Sequence, residues 1–237
     1  MSEAYAARLT TTQPLVNVRP ILRNVYLYMA LGMAVTTIVA YITVETHALQ
    51  AVLRQAPFVI WIIFIGQLLM VGTLSLRIFQ LSFGAAMGIF LVYAALNGFT
   101  LSSIAQTYDV GTIVPAFLTA AGLFLAMTIV GTLTTLDLTR VGTFAIMGVI
   151  GLILAMLVNV FVRSSGLDLI ISLIGVGIFT ALTASDTQKI VRWSTDPQIA
   201  AGGEAVVGRL SVLGALMLYL DFLNLFLFLL RIFGRRN

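Results

Sequence analysis

The sequence contains no cysteine, a single histidine and few charges, and each shortage closes off a class of chemistry. Without cysteine there is no disulfide framework, no thiolate nucleophile and no cysteine-ligated metal. One histidine, His47, in a polar stretch between apolar runs, supports neither a histidine triad nor a histidine metal cluster. Only 9% of residues are charged, whereas soluble domains carry about 25%. Hydrophobic residues make up 60% of the chain, and the mean hydropathy is +1.07. That balance belongs to a polytopic membrane protein. Lys and Arg outnumber Asp and Glu 13 to 9. These cations flank apolar runs, so they read as topology determinants and lipid headgroup contacts, and no nucleic-acid partner is expected.

A helix needs about 20 mainly apolar residues to cross a bilayer. Seven runs qualify, at 25–44, 58–76, 83–104, 112–133, 141–162, 168–188 and 209–232. The expected fold is an all-α integral membrane protein, a bundle of seven transmembrane helices. The polar leader is too long for the first part of a cleaved signal, and the run behind it is long enough to span. The expected layout is a leader over 1–24, one transmembrane domain over 25–234, and a basic tail over 235–237. The longest connection, 189–208, contains Pro197 and the Gly202-Gly203 pair and reads as a turn. GAAMG at 84–88 and GVIG at 148–151 predict close helix packing.

Short loops richer in Lys and Arg face the cytoplasm. The leader with Arg8, Arg19 and Arg23, the loop after Arg77, Arg140, and the group Lys189, Arg192 and Arg209 share one side. This predicts a multi-pass protein with a cytoplasmic N-terminus. The tail, with Arg231, Arg235 and Arg236, resists the scheme. Either the last segment is re-entrant, or seven full spans carry the tail across; seven spans is the expectation.

Inside the last run, MLYLDFLNLFLFLLRIFG, stand Asp221 and Asn224. A charge at mid-bilayer costs about 2.5–3.5 kcal/mol on insertion scales, so it needs a partner, a wet cavity or a proton. Helical spacing places Gly214, Met217, Asp221, Asn224 and Phe228 on one stripe, which is expected to face the bundle interior. The bland alternative is a protonated Asp221 that only locks packing. A second carboxylate, Asp186, follows the polar approach Thr180, Thr183 and Ser185 and precedes Thr187 and Gln188, as in a water-lined vestibule. It also reads as an ordinary helix end, with Lys189 and Arg192 close behind. Measured from the flanking cations, Asp186 falls about 10 Å shallower than Asp221, so spacing alone does not pair them. Arg77 is either an interfacial arginine or a partner for such a pair. Two adjacent carboxylates share a proton and an arginine opposes this, so an Asp–Asp–Arg cluster is a potential pH switch. Asp109 and Asp137 read as solvated or capping loop residues, the alternative for Asp109 being the recruitment of cations to an outer mouth.

YAALNGFTLSSI at 93–104, GTLTTLDLTRVG at 131–142, SDTQKI at 185–190 and GALMLYLDFLNLFLFLLRIFG at 214–234 resemble the Bax inhibitor-1 family in its bacterial branch. The last stretch is the most specific. The resemblance implies a bundle with the last helix central. It also implies a pH-sensitive calcium leak gated by an aspartate pair, Asp186 and Asp221, linked to an arginine at Arg77. Ser185 stands where the family often has tyrosine, and the 191–208 connection is longer than in compact relatives.

The expected function is therefore a passive calcium channel or leak of the bacterial inner membrane, not an enzyme, with Asp186, Asp221 and Arg77 sensing pH and Asn224, Ser185 and Thr183 in support. Partners are the lipid bilayer, calcium ions and protons. No cofactor is tightly bound, because two carboxylates fall short of the six to eight oxygens calcium prefers, roughly speaking. Asp186 and Asp221 are then weak calcium contacts. The alternative is a non-transporting regulator that binds a membrane protease or another membrane protein through 189–208. An intramembrane aspartyl protease fits poorly, since no GxGD precedes either aspartate.

Overall fold

The computed structural model describes residues 19–234. The expectations for the leader before residue 19 and for the tail at 235–237 lie outside the described residues. Helices follow in the order α1 (Arg19–Glu45), α2 (Ala48–Gln55), α3 (Val59–Arg77), α4 (Phe83–Leu101), α5 (Ile104–Thr107), α6 (Val110–Leu133), α7 (Thr139–Val162), α8 (Ser165–Thr195), α9 (Pro197–Ala201) and α10 (Gly203–Phe233). A short 3-10 turn, Ile78–Gln80, joins α3 to the loop before α4. Seven of these segments are long and apolar enough to span a bilayer, as the hydropathy predicts. This is an all-α membrane bundle embedded in lipid.

Side chains such as Trp61, Leu69, Phe144 and Phe161 stand exposed on the outer helices, as a lipid-facing surface requires. The last helix differs. Within its most apolar stretch 72% of residues are buried, against 6% to 39% in the other six spans. Leu216, Leu218, Tyr219 and Leu225 are wholly enclosed. α10 is the axle around which α1, α4, α6 and α8 pack.

α10 spans without re-entering. At about 1.5 Å per residue its 31 residues reach about 46 Å. Gly234 ends against the Tyr108 ring, at the loop before α6, whereas Arg209 near its start donates to the carbonyls of Phe79 and Leu81. The bundle therefore has an Arg209 face and an Asp109 face, and α10 runs from one to the other.

The 189–208 segment is mostly helix rather than a long loop. α8 continues through it to Thr195, and α9 fills 197–201. Gly203, at φ 73°, turns the chain into α10 in a left-handed conformation that suits glycine. The continuation is possible because the two cations in it are accommodated sideways. Lys189 lies over the Trp193 ring, and Arg192 reaches across to the loop before α7.

Close helix packing also occurs, but mostly at other glycines than the quoted motifs suggest. Gly84, Gly88 and Gly151 have open space where a Cβ would stand. Gly148 alone of those motifs is packed, against Ile178. At Gly98 a Cβ would land on the carbonyl of Thr36, and at Gly131 on the carbonyl of Ala184. There α1 meets α4, and α6 meets α8, backbone to backbone.

Candidate functional site

Asp221 sits in the middle of α10 with 4% of its surface exposed. Its Oδ2 is fully enclosed and has no hydrogen-bond partner among the described residues. Asn224, one turn on, does not supply one, because its Nδ2 donates 2.8 Å to the carbonyl of Leu220 in its own helix.

Asp186 lies on α8, which runs antiparallel to α10. Gly175 packs against Phe228, Phe179 stacks on Phe228, and Ile190 packs on Gly214. These contacts set a register in which Asp221 is level with the turn from Leu182 to Asp186. The two carboxylates therefore stand at nearly the same level on adjacent, antiparallel helices. The depth mismatch in the sequence disappears because α8 does not end at Lys189: Asp186 is nine residues, about 14 Å, inside the helix end at Thr195.

Asp186 is half-buried and opens to a cleft of about 250 Å³ on the Arg209 face, lined also by Thr139, Thr143, Ser185, Gln188, Lys189 and Arg192. Lys189 is the cation that acts on it. Arg77 is elsewhere. It is the exposed last residue of α3, with no hydrogen bond or ion pair to either aspartate in this structure. Thr183 is buried, and its hydroxyl donates 2.8 Å to the carbonyl of Phe179. Asp109 is exposed ahead of α6 and makes no capping hydrogen bond, and His47 is exposed in the turn before α2.

The loop between α6 and α7 is clamped over this cleft, a feature the sequence reading did not anticipate. Gln188 Nε2 donates 2.7 Å to the carbonyl of Leu136, and its Oε1 accepts from the Leu138 N–H at 2.9 Å. Ser185 Oγ donates 3.3 Å to the carbonyl of Leu138. Arg192 donates to Asp137 Oδ1, to Thr139 Oγ1 and to Gln188 Oε1. The Thr139 hydroxyl, with Arg192 behind it, holds the Asp137 carboxyl well below the usual carboxylate range. The one available signal was the spacing of Ser185, Gln188 and Arg192, which puts three polar side chains on one helical stripe.

A family model described as "Inhibitor of apoptosis-promoting Bax1" matches residues 18–237. The chain belongs to the Bax inhibitor-1 family. Among relatives of the family member described here, the inner membrane protein YbhL of Escherichia coli strain K12 is 40% identical over 226 residues, covering 95% of both chains. A Deinococcus radiodurans protein is 39% identical over 231 residues, covering 97% of this chain and 96% of its own. A Borreliella burgdorferi protein is 39% identical over 216 residues, covering 91% and 92%. These are bacterial proteins.

Two carboxylates in a membrane interior can hold a proton between them, or attract a cation once they lose it. Among the described residues no group of three or more His, Asp or Glu surrounds them, so a calcium ion here would meet mostly water and neutral oxygens.

Proposed function

We propose that this protein is a passive calcium leak of the bacterial inner membrane, gated by protonation of Asp186 and Asp221. The observation that carries the reading is the enclosed Oδ2 of Asp221, without a hydrogen-bond partner among the described residues, one helix away from a second carboxylate that opens to a cleft lined by Thr139, Gln188, Lys189 and Arg192. A packing aspartate would be expected to bond its neighbours. Weak, hydrated coordination suits conduction, since an ion must also leave. On this reading the Arg209 face and the N-terminus are cytoplasmic, following the distribution of Arg77, Arg140, Lys189, Arg192 and Arg209. On this reading Arg77 would join the pair through a movement of α3. Asn224, Ser185 and Thr183 shape the surroundings without ligating the ion.

The test is calcium flux into vesicles of pure protein between about pH 5 and 8. Asp221→Asn and Asp186→Asn are expected to flatten the pH response. An unaltered response in both variants removes the mechanism. The second reading, a regulator that binds another membrane protein, draws on the exposed polar turn around 195–205. It predicts a co-purifying membrane partner and no flux in pure vesicles.

A further inference from the structure

Two clefts open along the same seam, one from each face. On the Arg209 face is the cleft holding Asp186. On the Asp109 face is a second of about 250 Å³, lined by Met156, Asn159, Asp168, Ile171 and Arg231. Both are bounded by α7 and α8; α10 packs on α8, with Asp221 at the level of the first cleft and Arg231 lining the second.

Along α10, an aromatic residue stands between the level of Asp221 and that of Arg231, which lines the second cleft. Phe228 is buried, one turn before Arg231. Its ring stacks on Phe179 at 5.8 Å with 29° between the planes, and its other neighbours are Gly175 and the Arg231 guanidinium, 5.6 Å from its centroid. A side chain at position 175 would collide with the ring, so glycine there seats Phe228 directly against the α8 backbone. Next to Phe179 in α8, the Thr180 hydroxyl is enclosed without a hydrogen-bond partner among the described residues, as Asp221 Oδ2 is. Buried oxygens without partners call for an explanation, and a polar stretch cut off from water by an apolar side chain supplies one for this pair. Hydrophobic constrictions of this kind block ions by excluding water.

We infer that Phe228, stacked on Phe179 and seated on Gly175, is the apolar barrier that closes the passage beyond Asp221, and that the cleft holding Asp168 and Arg231 is its far mouth. The permeating species is a small hydrated cation, and the barrier works by denying it water. This rests on the leak reading above, but it makes a separate demand: removing the ring must open Thr180 to water from the Asp109 face.

The native chain has no cysteine, so a single Thr180→Cys reports directly. A charged, membrane-impermeant thiol reagent is added from the Asp109 face to the full chain in vesicles. Thr180→Cys alone is expected to stay unmodified, and the double variant with Phe228→Ala to react many-fold faster. Phe228→Leu, which keeps an apolar side chain in place, gives an intermediate rate and covers the case in which the alanine variant does not fold. Equal labelling with and without the Phe228 change, or fast labelling of Thr180→Cys alone, overturns the barrier whatever the flux. In parallel, Phe228→Ala is expected to raise calcium flux several-fold at the pH where the native protein leaks least. If native vesicles do not leak at all, the leak reading fails, and the labelling still decides whether Phe228 seals a wet cleft.

Discussion

Arg192 Nη2 lies 2.5 Å from Asp137 Oδ1, joining two residues 55 positions apart and fastening the loop between α6 and α7 to α8 one and a half turns beyond Asp186. The pair is a surface one, with side-chain exposures of 50% and 67%. Its effect lies in position, since isolated exposed pairs contribute little to stability. It braces the rim of the cleft that Asp186 lines.

The brace is expected to be insensitive to pH where the aspartate pair is expected to respond. Thr139 and Arg192 lower the Asp137 carboxyl, so the stabilisation is present above the ordinary carboxylate range and is lost only as pH falls below it. Asp137→Asn should therefore leave the midpoint of a calcium-flux pH profile between about pH 5 and 8 in place. Arg192→Ala should leave that midpoint in place too and change only the amplitude, by loosening the loop. A midpoint that moves with Asp137→Asn contradicts this assignment.

Gly131→Ala should destabilise the protein by about 1–3 kcal/mol, the range for overpacked sites. A methyl group there has nowhere to go between the carbonyl of Ala184 and Cβ of Thr187. Thermal unfolding in detergent measures it, and Gly84→Ala, facing open space, should come out near neutral.

Tyr219 and Thr36 lie 2.7 Å apart, hydroxyl to hydroxyl, and Thr36 also donates toward the carbonyls of Gly32 and Ala94. Tyr219→Phe removes one bond and leaves Thr36 satisfied by the others. A double-mutant cycle with Thr36→Ala should give a coupling of about 0.6 kcal/mol, and no more than about 1.7 kcal/mol.

The bundle was legible from hydropathy because each span must satisfy its own backbone and therefore announces itself as a long apolar run. The stripe of Asp221 and Asn224 was legible for a related reason: a buried polar group stands out against leucine and phenylalanine. The relation between Asp186 and Asp221 was not, since counting depth from Lys189 and Arg192 assumed that cations mark a helix end. Trp193 and Asp137 give those cations lateral partners, and α8 runs on past them. Likewise Gly84 and Gly88 satisfy a small-residue pattern but face open space, because the pattern does not record which side of a helix meets a neighbour.

Orientation can be read with the same cysteine-free background. Leu136 and Val110 are exposed at opposite ends of the bundle, on the Arg209 and Asp109 faces respectively. If the proposed orientation holds, an impermeant thiol reagent outside spheroplasted cells modifies Val110→Cys and spares Leu136→Cys. The reverse pattern inverts the molecule and places the Asp186 cleft outside.

The most deeply packed helix is also the last of the seven to be made. Chains fold from the N-terminus as they are synthesised, so the six outer spans reach the bilayer before the segment that fills their centre exists. Until α10 arrives, the Gly175 seat and the Thr36 hydroxyl have no ring and no phenol to receive, and α1, α4, α6 and α8 face an unfilled groove. The centre of the bundle is therefore filled late, by the last of the described spans. A ribosome that stalls before Gly203 would leave that groove open, with Asp186 on one of the helices that wall it.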